Sequence, residues 1–394
     1  MSNADSAQIT SSLQGALAGL RVIDLTGVVL GPYATQILGD YGADVIKIEP
    51  PSGDIMRHAG PMKHPGMGHI FINANRNKRS VVLDLKKPEQ REQLLALCTT
   101  ADVLTYNIRP ASMARLGLSY ETLHAINPRL VVCGAYGYSE GGPYSEWPAY
   151  DDLIQGVVGM PWLMTQSGST EPRYVPATFA DRVTGLNMVH AVMAAVIARY
   201  RTGVGQHVEV PMFECLLQFV MGEHLSGETW QPPIGPMGYA RMLSTNRKPY
   251  RTRDGHICAL MYNEAHWAAF LELVGQPNLF QTDARFANHA ARIQHIDALY
   301  GFVAEHMQHR STAEWLNALA ARDIPVMPMM SLQDLLHDPH LEATQGWLDV
   351  PHPFEGMLRQ LRPPVRMSET PTGVWRPAPR LGEHTEEVLS SLKT

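Results

Sequence analysis

An alternation of short β-rich runs with helical segments through the first half of the chain constrains the fold more than any other feature. Runs of apolar and β-branched residues predict five strands, at residues 20–24, 45–48, 80–85, 103–106 and 130–135. The segments between them are typical of helices, at residues 32–40, 88–99 and 121–127. Because strands that alternate with helices form βαβ units, the pattern predicts an α/β protein with a mainly parallel sheet covered on both faces.

The second half of the chain changes character twice. Residues 184–201 are apolar nearly all round, which predicts a helix buried in the core, and a strand is expected at 206–210. Residues 230–255 are rich in glycine, proline and basic side chains, which indicates a domain boundary or an active-site loop. After them, a strand at 256–261, a helix at 264–274 and an extended segment at 324–329 predict a smaller α+β unit.

Composition argues against several classes of protein. The 394 residues carry a net charge of -6, so we expect no nucleic-acid partner. The four cysteines are far apart and form no CxxC pair, which indicates neither a zinc site nor a disulfide framework. Residues 1–14 are polar and lack a signal-peptide pattern, and no apolar stretch reaches the ~20 residues that span a bilayer. The sequence therefore predicts a soluble, cytoplasmic protein without membrane or metal partners.

The turn after the first predicted strand contains Gly27 and Gly31, and Glu49 ends the second strand. In a dinucleotide-binding fingerprint, such glycines let a pyrophosphate approach a helix N-terminus. Two glycines at GxxxG spacing match that fingerprint poorly, so a nicotinamide-dependent dehydrogenase is a weak alternative. The turn can still bring main-chain N–H groups close to a phosphate or an acyl group. The P-loop and HExxH signatures are not in the sequence.

Asp181, in the segment FADRVTG just before the predicted buried helix, is the most informative acid. A carboxylate there faces the positive end of the helix dipole, which favours its ionised form. With an unperturbed pKa of about 3.9, it would be deprotonated at neutral pH and could act as a nucleophile without a separate base. The alternative is an ordinary N-terminal helix charge, and position alone favours that alternative. Asp151 and Asp152 are expected to be solvated surface acids.

Six sequence segments, in order along nearly the whole chain, favour the interpretation of Asp181 as a nucleophile. They are LAGLRVIDLTGVVLGPYATQILGDYGADVIKIE at 17–49, NKRS at 77–80, INPRL at 126–130, ATFADRVTG at 177–185, RTGVGQHVEVPMFE at 201–214 and LGEHT at 381–385. Together they resemble the class III CoA-transferases, the family of formyl-CoA transferase and carnitine CoA-transferase. The resemblance implies a large Rossmann-like domain from residues 1–225 and 325–394, a small α+β domain from 226–324, and an interlinked homodimer.

The resemblance also implies a reaction. An aspartate at the position of Asp181 attacks the acyl-CoA thioester and forms an aspartyl-acyl anhydride, after which CoA forms an aspartyl-CoA thioester and passes to the acceptor acid. CoA and acyl-CoA are then substrates, and no cofactor is permanently bound. Carrying a carboxylate-on-thioester exchange through activated acyl species splits one difficult step into easier ones. The donor is expected to be an acyl-CoA such as succinyl-CoA, and the acceptor a carboxylic or dicarboxylic acid.

The CoA contacts that the resemblance implies follow several predicted strands. They are Val29, Leu30, Leu83, Asp84, Leu85, Lys86, Asn107, Ile108, Arg109, Arg115, Leu116, Trp147 and Tyr150. Lys86, Arg109 and Arg115 can neutralise CoA phosphates. Loops at the carboxyl ends of parallel strands are also where such sheets bind ligands.

The chain departs from the formyl-CoA transferase pattern at two places. Pro50 stands where those enzymes carry a basic residue, and residues 235–241 (GPMGYAR) replace a run of four glycines. Oxalate and formate are therefore not favoured as substrates, and Arg241 is a candidate clamp for the second carboxylate of a dicarboxylic acid, with Arg247 and Lys248 nearby.

Two further alternatives stay open at this point. An α-methylacyl-CoA racemase of the same family would need a histidine near Tyr150, and tyrosine is poorly suited as a base at neutral pH. A non-catalytic CoA-binding protein is the other alternative.

Overall fold

The fold is built on a six-stranded parallel sheet, seen in a computed structural model that describes residues 15–393. Its strands are β1 Arg21–Asp24, β2 Asp44–Glu49, β3 Lys78–Val82, β4 Val103–Tyr106, β5 Val131–Tyr136 and β6 His207–Pro211. Every neighbouring pair is parallel. The predicted α/β class with a parallel sheet is confirmed. The polar stretch 1–14, predicted not to be a signal peptide, lies outside the described residues.

Helices connect the strands and continue through the rest of the chain. They are α1 Leu30–Asp40, α2 His69–Ala74, α3 Pro88–Cys98, α4 Pro110–Arg115, α5 Tyr120–Ile126, α6 Asp151–Val157, α7 Met160–Gln166, α8 Phe179–Thr202, α9 Met212–His224, α10 Ala240–Leu243, α11 Glu264–Leu273, α12 Leu279–Thr282, α13 His289–Gln294, α14 Ile296–Met307, α15 Thr312–Ala320, α16 Pro339–Ala343 and α17 Thr385–Ser390. Leu94 of α3, Leu123 of α5 and Val388 of α17 share one apolar cluster with strand residues such as Ile46 and Val132. Helices α1 and α8 contact each other and strands of the sheet, and none of their residues belongs to that cluster. Because successive strand side chains point to opposite faces, both faces of the sheet are covered.

The strand order decides where a ligand can bind. The order is β3-β2-β1-β4-β5-β6, so the chain builds outward from β1 in one direction and then from β4 in the other. In a doubly wound sheet of this order, a crevice opens at the carboxyl ends of the two central strands, where the direction reverses. That crevice lies beside the turn after β1 and the loop after β4.

Helix α8 corrects one expectation. It begins at Phe179, before the predicted start, so Asp181 lies inside its first turn instead of ahead of it. It is also buried along one face only, because Ile197 and Tyr200 are 56% and 71% exposed. Among the described residues it is the one helix that is long and apolar enough to cross a membrane by length and composition. Its buried face packs against α1 and the sheet, as expected of a core helix in a globular protein.

The chain forms two compact units. The first contains the described residues up to Val158, Pro176–Gln218 and the chain from His340 onward; the second contains Gly159–Val175 and Phe219–Pro339. In the second, an antiparallel sheet consists of β7 Tyr250–Arg251, β8 His256–Ala259 and β9 Val326–Pro328. Its apolar core is rich in aromatic side chains, among them Trp267, Phe270 and Trp315. The predicted loop at 230–255 is mostly turns but includes α10 and β7.

Several observed elements have no counterpart in the sequence prediction, among them a hairpin and the helix after β6. An antiparallel hairpin, β10 Trp347–His352 with β11 Gly356–Leu361, lies within the proline-rich tail. Helix α9 follows β6 directly. Both were missed because the flanking prolines and the strand-like start of α9 obscure their periodicity.

Candidate active site

A cavity of about 590 Å³ lies at the carboxyl end of the parallel sheet, in the first unit. The loops after β1, β2, β4 and β5 form its wall, together with the starts of α6 and α8. This is the crevice expected at the reversal of strand order. We call it the sheet-edge cavity.

Asn107 ties the two loops at the reversal together. Its Oδ1 accepts the Gly27 N–H at 3.0 Å, and its Nδ2 donates to the Gly27 carbonyl at 2.7 Å. One side chain after β4 therefore satisfies both main-chain groups of one residue after β1. The pair fixes the mouth of the cavity where β1 and β4 end.

The turn after β1 is held in a conformation that valine rarely adopts. Val28 has φ of 71°, in the left-handed region that is strongly disfavoured for a β-branched residue. Its N–H donates to Asp54 Oδ1 at 3.2 Å, and Lys47 holds the other oxygen of Asp54 at 3.0 Å. Lys47 also donates to the Thr26 carbonyl at 2.7 Å. Such strain costs about 1–3 kcal/mol and persists because these buried groups impose it.

Two glycines allow the helices beside this turn to approach closely. A Cβ on Gly31 would lie within 2.2 Å of the Thr26 side chain, and a Cβ on Gly185 would lie 2.8 Å from the Leu30 carbonyl oxygen. Gly185 is on α8, so the backbone of α8 meets the first residue of α1 directly. Since four residues make about one helical turn, Asp181 lies one turn from that contact on the same side of α8.

The start of α1 leaves donors available. The backbone N–H groups of Val29 and Leu30 donate to no residue that the structure describes. Unsatisfied N–H groups at a helix N-terminus carry partial positive charge and favour anions. Leu30 lines the sheet-edge cavity, as Val28 does, and Val29 lies between them in the chain.

Asp181 is the third residue of α8 and lines the sheet-edge cavity while only 9% exposed. Its N–H donates to Asp151 Oδ1 at 3.0 Å. Neither of its own carboxyl oxygens accepts a hydrogen bond from any described residue. The carboxyl group is therefore sequestered from bulk water and yet unengaged, which leaves its oxygens available to a ligand.

The ionisation of Asp181 corrects the expectation from helix position. Burial, with the nearby Asp151 carboxylate adding to it, raises the pKa of Asp181 to about 7, and Arg182 acts weakly in the opposite direction. Desolvation outweighs the helix dipole here. At neutral pH the group is divided between its neutral and ionised forms instead of being fully deprotonated, and a pKa near the working pH is typical of functional sites.

Asp151 is a site residue that the sequence analysis assigned to the surface. At the start of α6, one of its oxygens accepts the Asp181 N–H and the other accepts Gln155 Nε2 at 2.7 Å. It therefore joins the first turns of α6 and α8 and places a negative charge beside Asp181. No local pattern around residue 151 indicates that pairing, because it joins residues 30 positions apart.

The predicted CoA contacts fall into two groups. Those in the wall of the sheet-edge cavity are Leu30, Asn107, Ile108, Arg109, Trp147 and Tyr150, and Pro50 also lies there. Those outside its wall are Val29, Leu83, Asp84, Leu85, Lys86, Arg115 and Leu116.

The second group is spread over several environments. The Leu83 side chain is in the apolar core, and Leu116 packs against that core. Lys86 is exposed. Arg115 donates to Ser112 Oγ at 2.7 Å, and Ser112 does line the cavity, so the Arg115 cation lies one residue behind the wall.

Arg241 lies in the second unit, where its Nε donates to the Tyr300 hydroxyl at 2.9 Å. Within residues 15–393, no group of three His, Cys, Asp or Glu side chains could hold a metal ion.

The fold and the cavity define an α/β enzyme scaffold whose ligand cavity, at the reversal of a doubly wound sheet, contains one buried and unengaged carboxyl group. Comparison with known proteins is consistent with this class. The model of CoA-transferase family III matches residues 17–385. The chain belongs to that family and is a family III CoA-transferase.

Relatives and solved structures agree. A succinate–glutarate CoA-transferase of Agrobacterium fabrum is 32% identical over 96% of this chain and 96% of its own length. A formyl-CoA:oxalate CoA-transferase of Rhodopseudomonas palustris is 31% identical over 95% of this chain and 92% of its own. The crystal structure of a CAIB/BAIF family protein from Brucella suis superposes with a TM-score of 0.81 at 32% identity, covering 96% of this chain and 100% of that one.

Proposed function

We propose that Asp181 is the covalent nucleophile of a CoA transfer between two carboxylic acids. The observation that carries this proposal is the carboxyl group itself, buried in the wall of the sheet-edge cavity with neither oxygen hydrogen-bonded to a described residue. A carboxylate held ionised by several donors would be a weaker nucleophile. One whose pKa is near 7 retains basicity and is still ionised in a large fraction of molecules at neutral pH.

Each step exchanges one acyl bond for another. The Asp181 oxygen attacks the thioester carbonyl, the C–S bond breaks, and CoA leaves as a thiolate, which gives a mixed anhydride. The thiolate then attacks the aspartyl carbonyl and releases the first acid as its carboxylate, leaving an aspartyl-CoA thioester. The acceptor carboxylate attacks that thioester, the C–S bond breaks, and CoA leaves again as a thiolate, which gives a second anhydride. The thiolate finally attacks the new acyl group, which yields the product acyl-CoA and restores the carboxylate.

Every attack in this sequence places negative charge on a carbonyl oxygen. The unengaged N–H groups of Val29 and Leu30, at the N-terminus of α1, are suited to stabilise that charge or to hold the phosphate end of CoA. Their position is fixed by the strained Val28 and by the contact between Gly185 and Leu30. A donor aimed before the reaction costs no reorganisation when charge develops.

Cations in the wall and close behind it suit the CoA phosphates. Arg109 is exposed at the cavity, where it donates to the Glu146 carbonyl at 2.8 Å, and Arg115 lies behind Ser112. We expect both cations to neutralise the phosphates, with Lys86 further along the same edge. Trp147 and Tyr150, which are both exposed in this wall, offer apolar faces for the adenine ring or the pantetheine arm.

We propose succinyl-CoA as donor and a dicarboxylic acid as acceptor. The support is that relatives named for succinate and glutarate transfer align over nearly all of this chain. A racemase would need a histidine opposite Asp181, and none lines the sheet-edge cavity among the residues the structure describes. By the resemblance, that base would fall near Tyr150, and tyrosine is poorly suited as a base at neutral pH, which favours the transferase.

We also propose that the protein is an interlinked homodimer. Helix α8 leaves Leu186, Ile197 and Tyr200 exposed on its outer face, and such apolar side chains along one helix favour burial by a second copy. Size-exclusion chromatography with light scattering should give a dimer, and a monomer at micromolar concentration would refute this.

The proposed nucleophile can be trapped. Incubation with succinyl-CoA and hydroxylamine should convert Asp181 to a hydroxamate, because hydroxylamine attacks both the anhydride and the thioester. Peptide mass spectrometry should find the tag on the peptide that contains Asp181 and on no other acid. A panel of acyl-CoA donors extends the test beyond succinyl-CoA.

Asp152→Asn is the matched control, since Asp152 is an exposed acid beside Asp151. It should be tagged at Asp181 as the wild type is, whereas Asp181→Asn should not be tagged. If no donor in the panel tags Asp181 while the folded protein still turns over, the covalent mechanism is wrong. Deuterium uptake from solvent at the α-carbon, without an acceptor acid, would instead indicate a racemase.

A further inference from the structure

A second cavity, of about 420 Å³, lies wholly within the second unit. Its wall is formed by α10, by the three-stranded sheet β7–β9 and by α14. We call it the basic cavity, because Arg241, Arg247 and Lys248 line it. It shares no lining residue with the sheet-edge cavity.

The charges of the basic cavity are unbalanced. No aspartate or glutamate belongs to its described wall, and none of its three cations forms an ion pair within the described chain. The acid nearby on α14, Asp297, accepts a hydrogen bond from Ser244 Oγ at 2.7 Å and interacts electrostatically with Lys248 without a direct ion pair. In a chain whose net charge is -6, three cations without a direct ion pair, with only Lys248 near an acid, favour an anion on one concave surface.

Arg241 is oriented as an anion receptor. Its Nε donates to the hydroxyl of Tyr300 at 2.9 Å, and Tyr300 is itself buried in the second unit. The two terminal nitrogens of Arg241 donate to no described residue. One bond therefore fixes the guanidinium plane, and the free edge can form two parallel bonds to a carboxylate.

The rest of the wall is apolar. Pro249, Leu260, Val326 and Met327 line the basic cavity together with the ring of Tyr250. An inorganic anion such as phosphate has no hydrocarbon to place against these groups. A short-chain carboxylic acid does, because its head can meet Arg241 while its methylene groups cover the apolar side chains.

We propose that the basic cavity is a binding site for short-chain carboxylic acids, dicarboxylic acids foremost. Arg241 holds one carboxylate, and Arg247 and Lys248 provide charge for a second one. The proposal rests on the transferase function only in the choice of acid, since the same class of compound is the proposed acceptor. The site itself follows from the charges and the wall.

Cys258 makes the occupancy of this cavity measurable without turnover. It is an exposed thiol in the wall of the basic cavity. Burial raises the pKa of Cys98 and of Cys133 to about 12 and, with Glu214, that of Cys215 to about 11, so these three react slowly at neutral pH. Alkylation at Cys258 can therefore be followed by peptide mass spectrometry.

The test is protection of Cys258 from iodoacetamide in the whole protein. Glutarate and succinate should slow alkylation in a saturable way, whereas the neutral diamide of succinate and sodium chloride at equal ionic strength should not. Inorganic phosphate is the competing anion. Equal protection by phosphate and glutarate at equal concentration would overturn the choice of carboxylate, and no protection by any anion would overturn the site. If Cys258 does not react at all, equilibrium dialysis with radiolabelled glutarate replaces the alkylation assay. Asp181→Asn should bind glutarate, and the same variant with Arg241→Ala added should bind it more weakly; no binding to Asp181→Asn would overturn the site.

Variants locate the contact. Arg241→Ala should weaken glutarate protection about tenfold to a hundredfold, the range for losing hydrogen bonds to a charged group. Arg241→Lys keeps the charge but lacks the planar guanidinium, so its protection by glutarate should lie between that of the wild type and that of Arg241→Ala. Arg251→Gln removes one positive charge next to Tyr250 but outside the cavity wall, and it should leave protection unchanged. Protection that is unaffected by Arg241→Ala would contradict the proposal.

The outcome is separable from that of the proposed function. The variant Asp181→Asn cannot form the covalent intermediate but should retain protection of Cys258. In the wild type, absence of hydroxamate formation with protection intact would disprove the transfer mechanism alone. Hydroxamate formation in the wild type without protection would disprove the basic cavity site alone.

Discussion

Replacing Asp181 by asparagine should make the protein more stable at neutral and alkaline pH, by an amount that depends on pH. Burial raises the pKa of Asp181 from 3.8 to about 7. Below pH 3.8 both the folded and the unfolded chain hold the proton, so the carboxyl group adds no pH-dependent term. Between pH 3.8 and about 7 the unfolded chain ionises first, and the free energy of unfolding of the wild type falls as pH rises.

The size of the effect follows from that shift. One pKa unit corresponds to about 1.36 kcal/mol, so a displacement of about three units lowers the free energy of unfolding by roughly 4 kcal/mol above pH 7. Asparagine cannot ionise and does not show this loss. Its amide adds a pH-independent offset of about 1–3 kcal/mol if it is left without partners, so the pH dependence of the difference is the informative quantity.

Urea denaturation of the wild type and of Asp181→Asn at steps from pH 5 to pH 8.5, at constant ionic strength, measures that difference. The difference between the urea midpoint of the variant and that of the wild type should increase as pH rises and then become constant above about pH 7. Asp152→Asn, which removes an exposed acid close in sequence, should give a flat difference.

A flat difference for Asp181→Asn across the same range would mean that the group is not held near neutrality by burial. The argument for a sequestered, poised nucleophile would then fail, even if the variant had lost activity. Activity alone cannot make this distinction, because any loss of the nucleophile abolishes turnover.

Three more outcomes follow from the site. Asp151→Asn should move the acid limb of kcat/KM to lower pH, because the pKa of Asp181 falls when the like charge beside it is removed; a limb that stays in place would contradict that contribution. Val28→Gly should raise the free energy of unfolding by about 1 kcal/mol in urea titrations, since glycine adopts φ of 71° without the strain, and a clear loss of stability would refute it. Gly185→Ala should destabilise the protein by about 1–3 kcal/mol and lower kcat/KM, because its Cβ would approach the Leu30 carbonyl oxygen at 2.8 Å. Gly222→Ala is the control: its Cβ would meet open space, so stability and kcat/KM should both stay close to those of the wild type.

Much of the architecture was accessible from pattern alone. The alternation of strands and helices predicted a parallel α/β sheet, because buried strands and the helices that cover them carry distinct periodicities. Five of the predicted strands, β1, β2, β4, β5 and β6, begin and end within one residue of those observed. The domain boundaries at 225 and 325 and the interlinked dimer stay predictions. The hairpin β10–β11 was missed, since its strands lie among prolines and a proline in a run argues against a strand.

The candidate active site also has features that the sequence could predict and features that it could not. Asp181 could be singled out because its neighbours resemble a family motif, and family membership is shown by the match over residues 17–385. Its pKa could not be predicted, because it depends on burial by side chains distant in the chain and on Asp151. The same holds for Val28, whose strained conformation is imposed by Asp54 and Lys47 through hydrogen bonds across the turn.

The sequence by itself determined the class of fold, the family and the identity of the candidate nucleophile, because these depend on residue types and their spacing. Only the tertiary structure decided that burial raises the pKa of Asp181 to about 7, that Asp151 lies beside it, and that Arg241, Arg247 and Lys248 surround one cavity. The physical reason is that hydration and electrostatic interactions depend on distances in space, and these distances arise only when the chain has folded.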